Sequence, residues 1–334
     1  MKRNRFQAAL PSREVASRLE DYERAHDAGG VSVRKARASD LTKTYYDLAT
    51  DFYEYGWGRS FHFAPAARGE VLAEAIVRYQ HFLSAQLGLE GGMRVLDAGC
   101  GVGGPMIGIA RFSGASITGL NINGYQIERG RRHVEEARLG TLCSFEEGDF
   151  TRMPFEDGSF YAAYVMESSC HAADRRDVFS EVFRVLAPGA PFAGSEWCLT
   201  DRFDPGDPGH VSTKRGIEKG NGLPDLITAP ELEASLRDCG FRIVRSGDRA
   251  PTADPGTPWY SPLETSWTPR GFLHTEAGAW LTHRLVGLLE LVRLSPPGTT
   301  SVHDLLRLGQ HSLVEGGRTG IFTPMYFFLA EKPA

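Results

Sequence analysis

The segment that most constrains the fold is Val95-Leu96-Asp97-Ala98-Gly99-Cys100-Gly101-Val102-Gly103-Gly104. A short apolar strand, Met93–Asp97, runs straight into a glycine turn and then into a helix over Pro105–Phe112. The glycines permit a tight reversal and let backbone N–H groups approach a ligand at the helix N-terminus. Gly99, Gly101 and Gly104 satisfy the G-x-G-x-x-G spacing of dinucleotide-binding turns, so the glycines alone do not choose the ligand. Asp97 does more. A carboxylate at the strand end repels a pyrophosphate and suits a cation, and S-adenosylmethionine carries both a sulfonium and an ammonium group. A nicotinamide oxidoreductase is the competing reading. Asp97 and the lack of a Tyr-x-x-x-Lys proton donor after the fourth strand oppose it.

Strands and helices alternate from that turn onward. Ser116–Leu120, Cys143–Glu147, Phe160–Met166 and Ala190–Trp197 read as strands. Asn123–Arg138 and Asp174–Leu186 read as helices, the second stopped by Ala187-Pro188-Gly189. This order predicts an α/β fold, Rossmann-like, with a mostly parallel sheet covered by helices on both faces. Upstream, a helix is expected over about 66–87, whereas residues 1–40 are polar and are expected to be partly helical or loosely ordered. Downstream come a helix near 229–239, a strand Phe241–Ser246 and a late strand Met325–Leu329. If those two strands pair, the segment between them is an inserted cap. The expected division is therefore 1–65 as an N-terminal helical and aromatic segment facing the substrate, 66–248 as the cofactor-binding core, 249–320 as the cap, and 321–334 as a final core strand and tail.

Composition excludes several classes. Hydrophobic residues make up 41% of the 334 and charged residues 24%, which suffices for a buried core. A net charge of −5 supplies no basic field, so nucleic acid is not an expected partner. The basic residues Lys2, Arg3, Arg5, Arg34, Lys35 and Arg37 alternate with Glu14, Glu20, Asp21 and Glu23 and read as a solvated face. Five cysteines (Cys100, Cys143, Cys170, Cys198, Cys239) show no metal-ligand spacing, so no metal is expected and a reducing compartment fits. With no apolar run near 18 residues and no leading signal segment, neither a transmembrane span nor secretion is expected.

Two more positions fit the cofactor. Gly148-Asp149-Phe150 follows the third strand, where Asp149 could accept from an adenine amino group while the Phe150 ring packs on the base. Asn121, after the second strand, stands where an acid commonly binds ribose hydroxyls, and its amide can bond hydroxyls too.

With these residues in place, the chain resembles the sterol C-24 methyltransferase family, of the class I methyltransferase fold. The resemblance runs from about residue 41 to the end. It begins with Tyr45-Tyr46-Asp47-Leu48-Ala49-Thr50-Asp51-Phe52-Tyr53-Glu54-Tyr55-Gly56-Trp57-Gly58 and continues through Arg59-Ser60-Phe61-His62-Phe63-Ala64-Pro65. It includes the glycine turn to Pro105, Gly119-Leu120-Asn121, and Tyr125-Gln126-Ile127-Glu128-Arg129. Further on come Glu167-Ser168-Ser169-Cys170-His171-Ala172, Glu196-Trp197-Cys198-Leu199-Thr200-Asp201, Glu218-Lys219-Gly220-Asn221-Gly222-Leu223-Pro224-Asp225, and Thr323-Pro324-Met325-Tyr326-Phe327-Phe328. Asn121 is the family's own residue. Ser168-Ser169 and Ala173 depart from the family's Ala-Thr and Pro, Ser195 from a common Tyr, and Gly124 from a frequent acid.

The resemblance implies methyl transfer from S-adenosylmethionine to the side-chain alkene of a sterol, or alternatively to another terpenoid alkene such as a linear triterpene. It places Asp97, Gly99, Cys100, Gly101, Asn121, Gln126, Asp149, Phe150 and Glu167 around the cofactor. Alkylation of an alkene leaves a tertiary carbocation, so the site needs rings that stabilise a cation, a base, and protection from water. Tyr53, Tyr55, Trp57, Phe61, Phe63 and Trp197 are candidates for the acceptor pocket, with Glu54 and His62 among them. Glu167 and His171, four apart, are expected to share one face of a helical turn, and Glu196 is a second carboxylate candidate. Trp259, Tyr260, Trp267, Phe272, Trp280 and the amphipathic stretch Ala277–Leu294 are expected to form a lid, ahead of the alternatives that the stretch closes the core or docks on the membrane that holds the substrate. The family also implies a homo-oligomer in the cytoplasm that touches sterol-making membranes peripherally, at the endoplasmic reticulum or lipid droplets in a eukaryote.

Overall fold

The computed structural model describes residues 14–27, 30–264, 284, 287, 288, 290 and 297–334. Helices α1 (Val15–Asp27), α2 (Gly30–Ala36) and α3 (Ala38–Gly56) come first. The loosely ordered N-terminus expected from polarity is corrected from residue 15 onward. Val15, Leu19, Tyr22 and Ala25 recur at helical spacing and bury in one cluster with Leu41, Tyr45 and Leu48 of α3. The strength of that stripe outweighs the mean polarity of the segment.

Next come α4 (Leu72–Gln86), β1 (Arg94–Ala98), α5 (Gly104–Ser113), β2 (Ser116–Asn121), α6 (Gly124–Ala137), β3 (Cys143–Glu147), β4 (Ala162–Met166), α7 (Arg175–Val185) and β5 (Pro191–Leu199). Local chemistry explains their ends. Asn123 accepts from the Gln126 amide at the start of α6, and Asp174 accepts from the Arg176 amide at the start of α7. The chain continues through α8 (Pro208–Gly220), α9 (Ala229–Asp238), β6 (Arg242–Asp248), α10 (Thr299–Thr319) and β7 (Phe322–Glu331).

The seven strands form one sheet in the order β3-β2-β1-β4-β5-β7-β6. The first five are parallel, and β7 lies antiparallel between β5 and β6. An apolar layer with α7 and α9 covers one face, and a second layer with α4, α5 and α6 covers the other. Strand order reverses between β1 and β4. At such a switch point the connections leave in opposite directions, and a crevice opens beyond the carboxyl ends of the two strands.

Helices α8 and α10 were not expected. Asp207 accepts from the Gly209 and His210 amides and starts α8, with Pro208 at its first position. The two helices meet at glycines, since a Cβ on Gly220 would overlap the Gly309 Cα and one on Gly309 would stand 2.7 Å from the Gly220 carbonyl oxygen. The Ala277–Leu294 stretch lies largely outside the described residues, as do Trp267, Phe272 and Trp280. No described helix is long and apolar enough to cross a membrane.

Gly309→Leu is expected to destabilise the fold by about 1–3 kcal/mol through overpacking of this crossing. Thermal unfolding checks it, with Gly140→Ala, where an added Cβ meets nothing within 4 Å, as the control that leaves the midpoint in place.

Candidate active site

At the end of β1 the chain turns through Gly99, with φ of 94°, and reaches α5 through Gly103, with φ of 79°. Both conformations favour glycine, and both positions are crowded. A Cβ on Gly99 would overlap that of Ser168, and one on Gly103 would lie 2.8 Å from the Phe145 ring. In front of this turn lies a cavity of about 330 Å³, in the crevice at the β1/β4 switch point. Asp97, Cys100 and Gly101 line one side, Asn121 and Gln126 a second, and Phe150 a third, while Lys35 to Asp40 of the N-terminal helices close over it.

Asp97 is buried and accepts from the Tyr164 hydroxyl at 2.9 Å, and burial pushes its carboxyl up to about 7. A carboxyl raised in this way is a site where a bound cation restores the charged form. The Asn121 amide donates to Gln126 Oε1 at 2.9 Å, and Gln126 donates to Thr50 Oγ1 at 3.2 Å, so helix α3 braces that wall. The donor set fits S-adenosylmethionine: a carboxylate for the cationic end, a glycine turn at a helix start for its carboxylate, amides for hydroxyls and a ring for the base. Asp149 stands beside the cavity lining and not in it. Its Oδ1 accepts from the Thr151 amide and hydroxyl at 2.8 and 2.7 Å, its Oδ2 accepts from Ser39 at 3.1 Å, and its neighbours Gly148, Phe150 and Thr151 line the cavity instead. The Asx turn it makes with its own loop occupies Oδ1, while Oδ2 accepts only from the Ser39 hydroxyl.

A second cavity of about 220 Å³ adjoins the first. Its walls are mainly apolar and aromatic, including Phe52, Tyr53, Trp57, Phe63, Trp197 and Leu313. Tyr46, Phe61, His62, Glu167 and His171 line both cavities. These five residues form the wall where a cofactor pocket meets an apolar pocket.

Glu167 sits at the centre of that wall with φ of 54°, in the left-handed region. Its Oε1 accepts from the Phe63 amide and its Oε2 from Trp197 Nε1, both at 2.6 Å. Burial nevertheless raises its carboxyl well above the ordinary range. His171 follows on a single 3-10 turn, Ser169–His171, so Glu167 precedes the turn instead of sharing a helical face with it. The Gly222 carbonyl can only accept, so His171 Nδ1 donates to it at 3.2 Å and Nε2 accepts from the Tyr46 hydroxyl at 2.9 Å. The same logic has His62 Nδ1 donating to the Phe63 carbonyl at 2.9 Å while Nε2 accepts from Gln80. Burial lowers both imidazoles to about 4, so both are neutral with their nitrogens occupied.

Three candidates lie elsewhere. Glu54 pairs with Arg129 and, at 2.9 Å, with His133 Nε2, tying α3 to α6, and it lines neither cavity. Burial pushes its carboxyl up, but those partners outweigh it and hold the group below its ordinary value. Tyr55 is 83% exposed, because two residues along helix α3 carry it to the face opposite Tyr53. Glu196 is fully buried behind Glu167 and lines neither cavity. Tyr46 and Asn221, by contrast, line the site and were not singled out. Tyr46 was within reach of the sequence, since it lies seven residues before Tyr53 on a helical segment and so shares its face. Nothing local marks Asn221.

A sheet with this strand order, a glycine turn at its switch point and a charged cofactor pocket define a class I methyltransferase fold. Solved structures agree. The cyclopropane synthase MmaA2 from Mycobacterium tuberculosis superposes with a TM-score of 0.69 at 16% identity, covering 88% of this chain and 98% of the other. Geranyl diphosphate C-methyltransferase from Streptomyces coelicolor does so at 0.62 and 18% identity, covering 88% and 97%. Residues 96–193 match the methyltransferase domain model, and 270–334 match the sterol methyltransferase C-terminal model. Cycloartenol-C-24-methyltransferase of Arabidopsis thaliana is 46% identical over 96% of each chain, and sterol 24-C-methyltransferase of Yarrowia lipolytica is 42% identical over 88% of this chain and 79% of its own. The chain belongs to the sterol 24-C-methyltransferase family, and S-adenosylmethionine is its methyl donor.

Because Asp97 changes charge near pH 7, affinity for the cationic donor is expected to rise from about pH 6 to pH 8, as the carboxyl ionises. In Asp97→Asn the affinity at pH 8 is expected to fall at least about tenfold and the pH dependence to vanish. Titration calorimetry across that range checks both.

Proposed function

We propose that the protein is a sterol 24-C-methyltransferase that alkylates C24 in the side chain of a Δ24 sterol. The observation that carries this reading is the shared wall of Tyr46, Phe61, His62, Glu167 and His171, across which a cavity holding Asp97, Asn121 and Gln126 adjoins a more aromatic one. When bound, S-adenosylmethionine supplies an electrophilic methyl group on sulfur. The alkene π electrons would form the new carbon–carbon bond to that methyl while its bond to sulfur breaks, the electron pair leaving on the neutral thioether of S-adenosylhomocysteine, and a tertiary carbocation would remain on the side chain. A hydride shift can follow, and loss of a proton to a base then restores an alkene.

The chain's residues divide that work. Asp97 holds the cationic end of the cofactor, and the aromatic walls exclude water and stabilise the cation by about 0.5–2 kcal/mol per ring face. His171 and His62 stay neutral, so they add no positive charge beside a cation. Glu167 is the base. Two N–H donors grip its carboxylate, and a cation beside it favours the ionised form that burial alone opposes. Tyr53, Trp57, Phe61, Phe63 and Trp197 face the acceptor, whereas Glu54, Tyr55 and Glu196 do not touch it. Helix α3 and, among the described residues of the 249–320 segment, Pro262, Leu263, Leu306, Gln310 and Leu313 form the acceptor side, around the 66–248 core. The homo-oligomeric state and a peripheral contact with sterol-making membranes are carried by the family alone.

The test is transfer of radiolabelled methyl from S-adenosylmethionine to cycloartenol, zymosterol, desmosterol, a 24-methylene sterol and squalene. Label in a Δ24 sterol supports the reading, and label in squalene alone overturns it in favour of a triterpene acceptor. Glu167→Gln is expected to lower kcat by about 10²–10⁴-fold while donor affinity changes little.

A further inference from the structure

Among the described residues, Glu196 is a buried carboxylate beside the site that the reaction as written does not use. Glu196 stands on β5 directly behind the catalytic wall, fully buried. Its Oε1 accepts from the Ser169 amide at 3.0 Å and the Ser168 amide at 3.3 Å. Those are the two residues after Glu167, and the turn they make throws Glu167 into the left-handed region. The preceding peptide is pinned as well, since the Glu167 amide donates to the Ser195 carbonyl at 2.7 Å. Ser168 also ties the turn to the cofactor loop: its hydroxyl donates to the Ala98 carbonyl at 2.6 Å, and its Cβ fills the space that Gly99 leaves open.

A glutamate is strained in the left-handed conformation by the order of 1 kcal/mol or more and holds it only where the surroundings over-determine it. Here the over-determining contact is a carboxylate accepting two consecutive backbone N–H groups. Arg175, itself buried, faces Glu196 with its charge and donates to the Trp197 carbonyl at 3.0 Å. The same strand residue, Trp197, donates its indole N–H to Glu167.

We propose that Glu196 is a positioning residue for deprotonation. It sets the backbone of the 167–169 turn so that the Glu167 carboxylate stands at the junction of the two cavities, in register with the cofactor loop through Ser168. The inference rests on Glu167 being the base. Chemically, a cation that meets a well-placed carboxylate loses a proton to it and becomes an alkene. A cation that waits for a misplaced one is open to water, which adds through oxygen and releases a proton, giving an alcohol. Glu196 therefore controls how product divides between alkene and alcohol as well as the rate.

Four variants of the full-length enzyme test this with a Δ24 sterol: Glu196→Gln, Glu196→Leu, Glu196→Asp and Glu167→Gln. Each is assayed for kcat, KM for the donor, alkene-to-alcohol ratio and thermal midpoint. Glu196→Gln keeps an acceptor for both amides and is expected to retain kcat within about threefold, with an unchanged product ratio. Glu196→Leu removes the acceptor and is expected to lose about 10–100-fold in kcat, with alcohol appearing and donor KM within about twofold. Glu196→Asp, which keeps the charge but withdraws it by one methylene, shows the same shift in smaller measure and stands in if the leucine variant does not fold. An inactive, folded Glu196→Gln overturns the proposal, because Glu196 would then be needed as a proton acceptor. Folded leucine and aspartate variants with the parent kcat and product ratio overturn it in the other direction. A fully active Glu167→Gln sinks the base assignment on its own, whatever the Glu196 variants do.

Discussion

A carboxylate held between two N–H donors joins the three parts from which this enzyme is built. Glu167 comes from the end of β4, its first donor is Phe63 in the segment after α3, and its second is Trp197 on β5. When the carboxyl is ionised, bonds of this kind are charge-assisted, short and roughly twice as strong as neutral ones. Here they also close a geometric problem. A parallel sheet leaves its strand ends open, and the Phe63 segment must be fixed across that opening to separate an apolar pocket from a cofactor pocket. The Glu167 grip fixes the Phe63 segment and Trp197 beside the shared wall.

The N-terminal helices reach that position through a second set of buried polar contacts. Arg34 donates to the Pro224 carbonyl at 2.9 Å and to Glu218 at 3.0 Å, and Tyr22 donates to the Lys219 carbonyl. Tyr45 donates to the Gly220 carbonyl at 3.0 Å, and its ring lies 2.8 Å from where a Cβ on Gly222 would stand. The Glu218–Asp225 motif is thus a docking platform. Glu218 is shared between Arg34 and Lys214, and the Leu226 amide donates to it at 2.9 Å, so this buried carboxylate ties α2 to α8 and to the segment after it. Cofactor pocket, acceptor pocket and helical cover therefore form one cooperative unit.

Much of the core was legible along the chain because its signals are local. The glycine turn, the alternation of apolar strands with amphipathic helices, and the stop at Ala187-Pro188-Gly189 all act over a few residues. Most elements from β1 to β5 fall within about two residues of the sequence reading. Helix α8 was missed because its cap, Asp207-Pro208, stands in a run of Pro, Gly and Asp that reads as a loop. In the site, Asp97, Asn121, Gln126, Phe150, Glu167 and His171 all line the cofactor cavity. Glu54, Tyr55 and Glu196 were assigned from residue type and neighbourhood, and type does not say which way a side chain points.

The sequence by itself determined the sheet, the cofactor turn and the reaction family, because each is written in contiguous residues whose backbone needs or charges are specific. Tertiary structure decided the division of labour among the acidic and imidazole groups. Glu54 ties two helices, Glu196 supports the turn from behind, and Glu167 is the carboxylate at the junction, although all three carry the same side chain. The physical reason is that a carboxylate's role depends on which donors and charges surround it after burial. Those partners, Phe63, Trp197, Arg129 and Arg175, come from segments far apart in the chain.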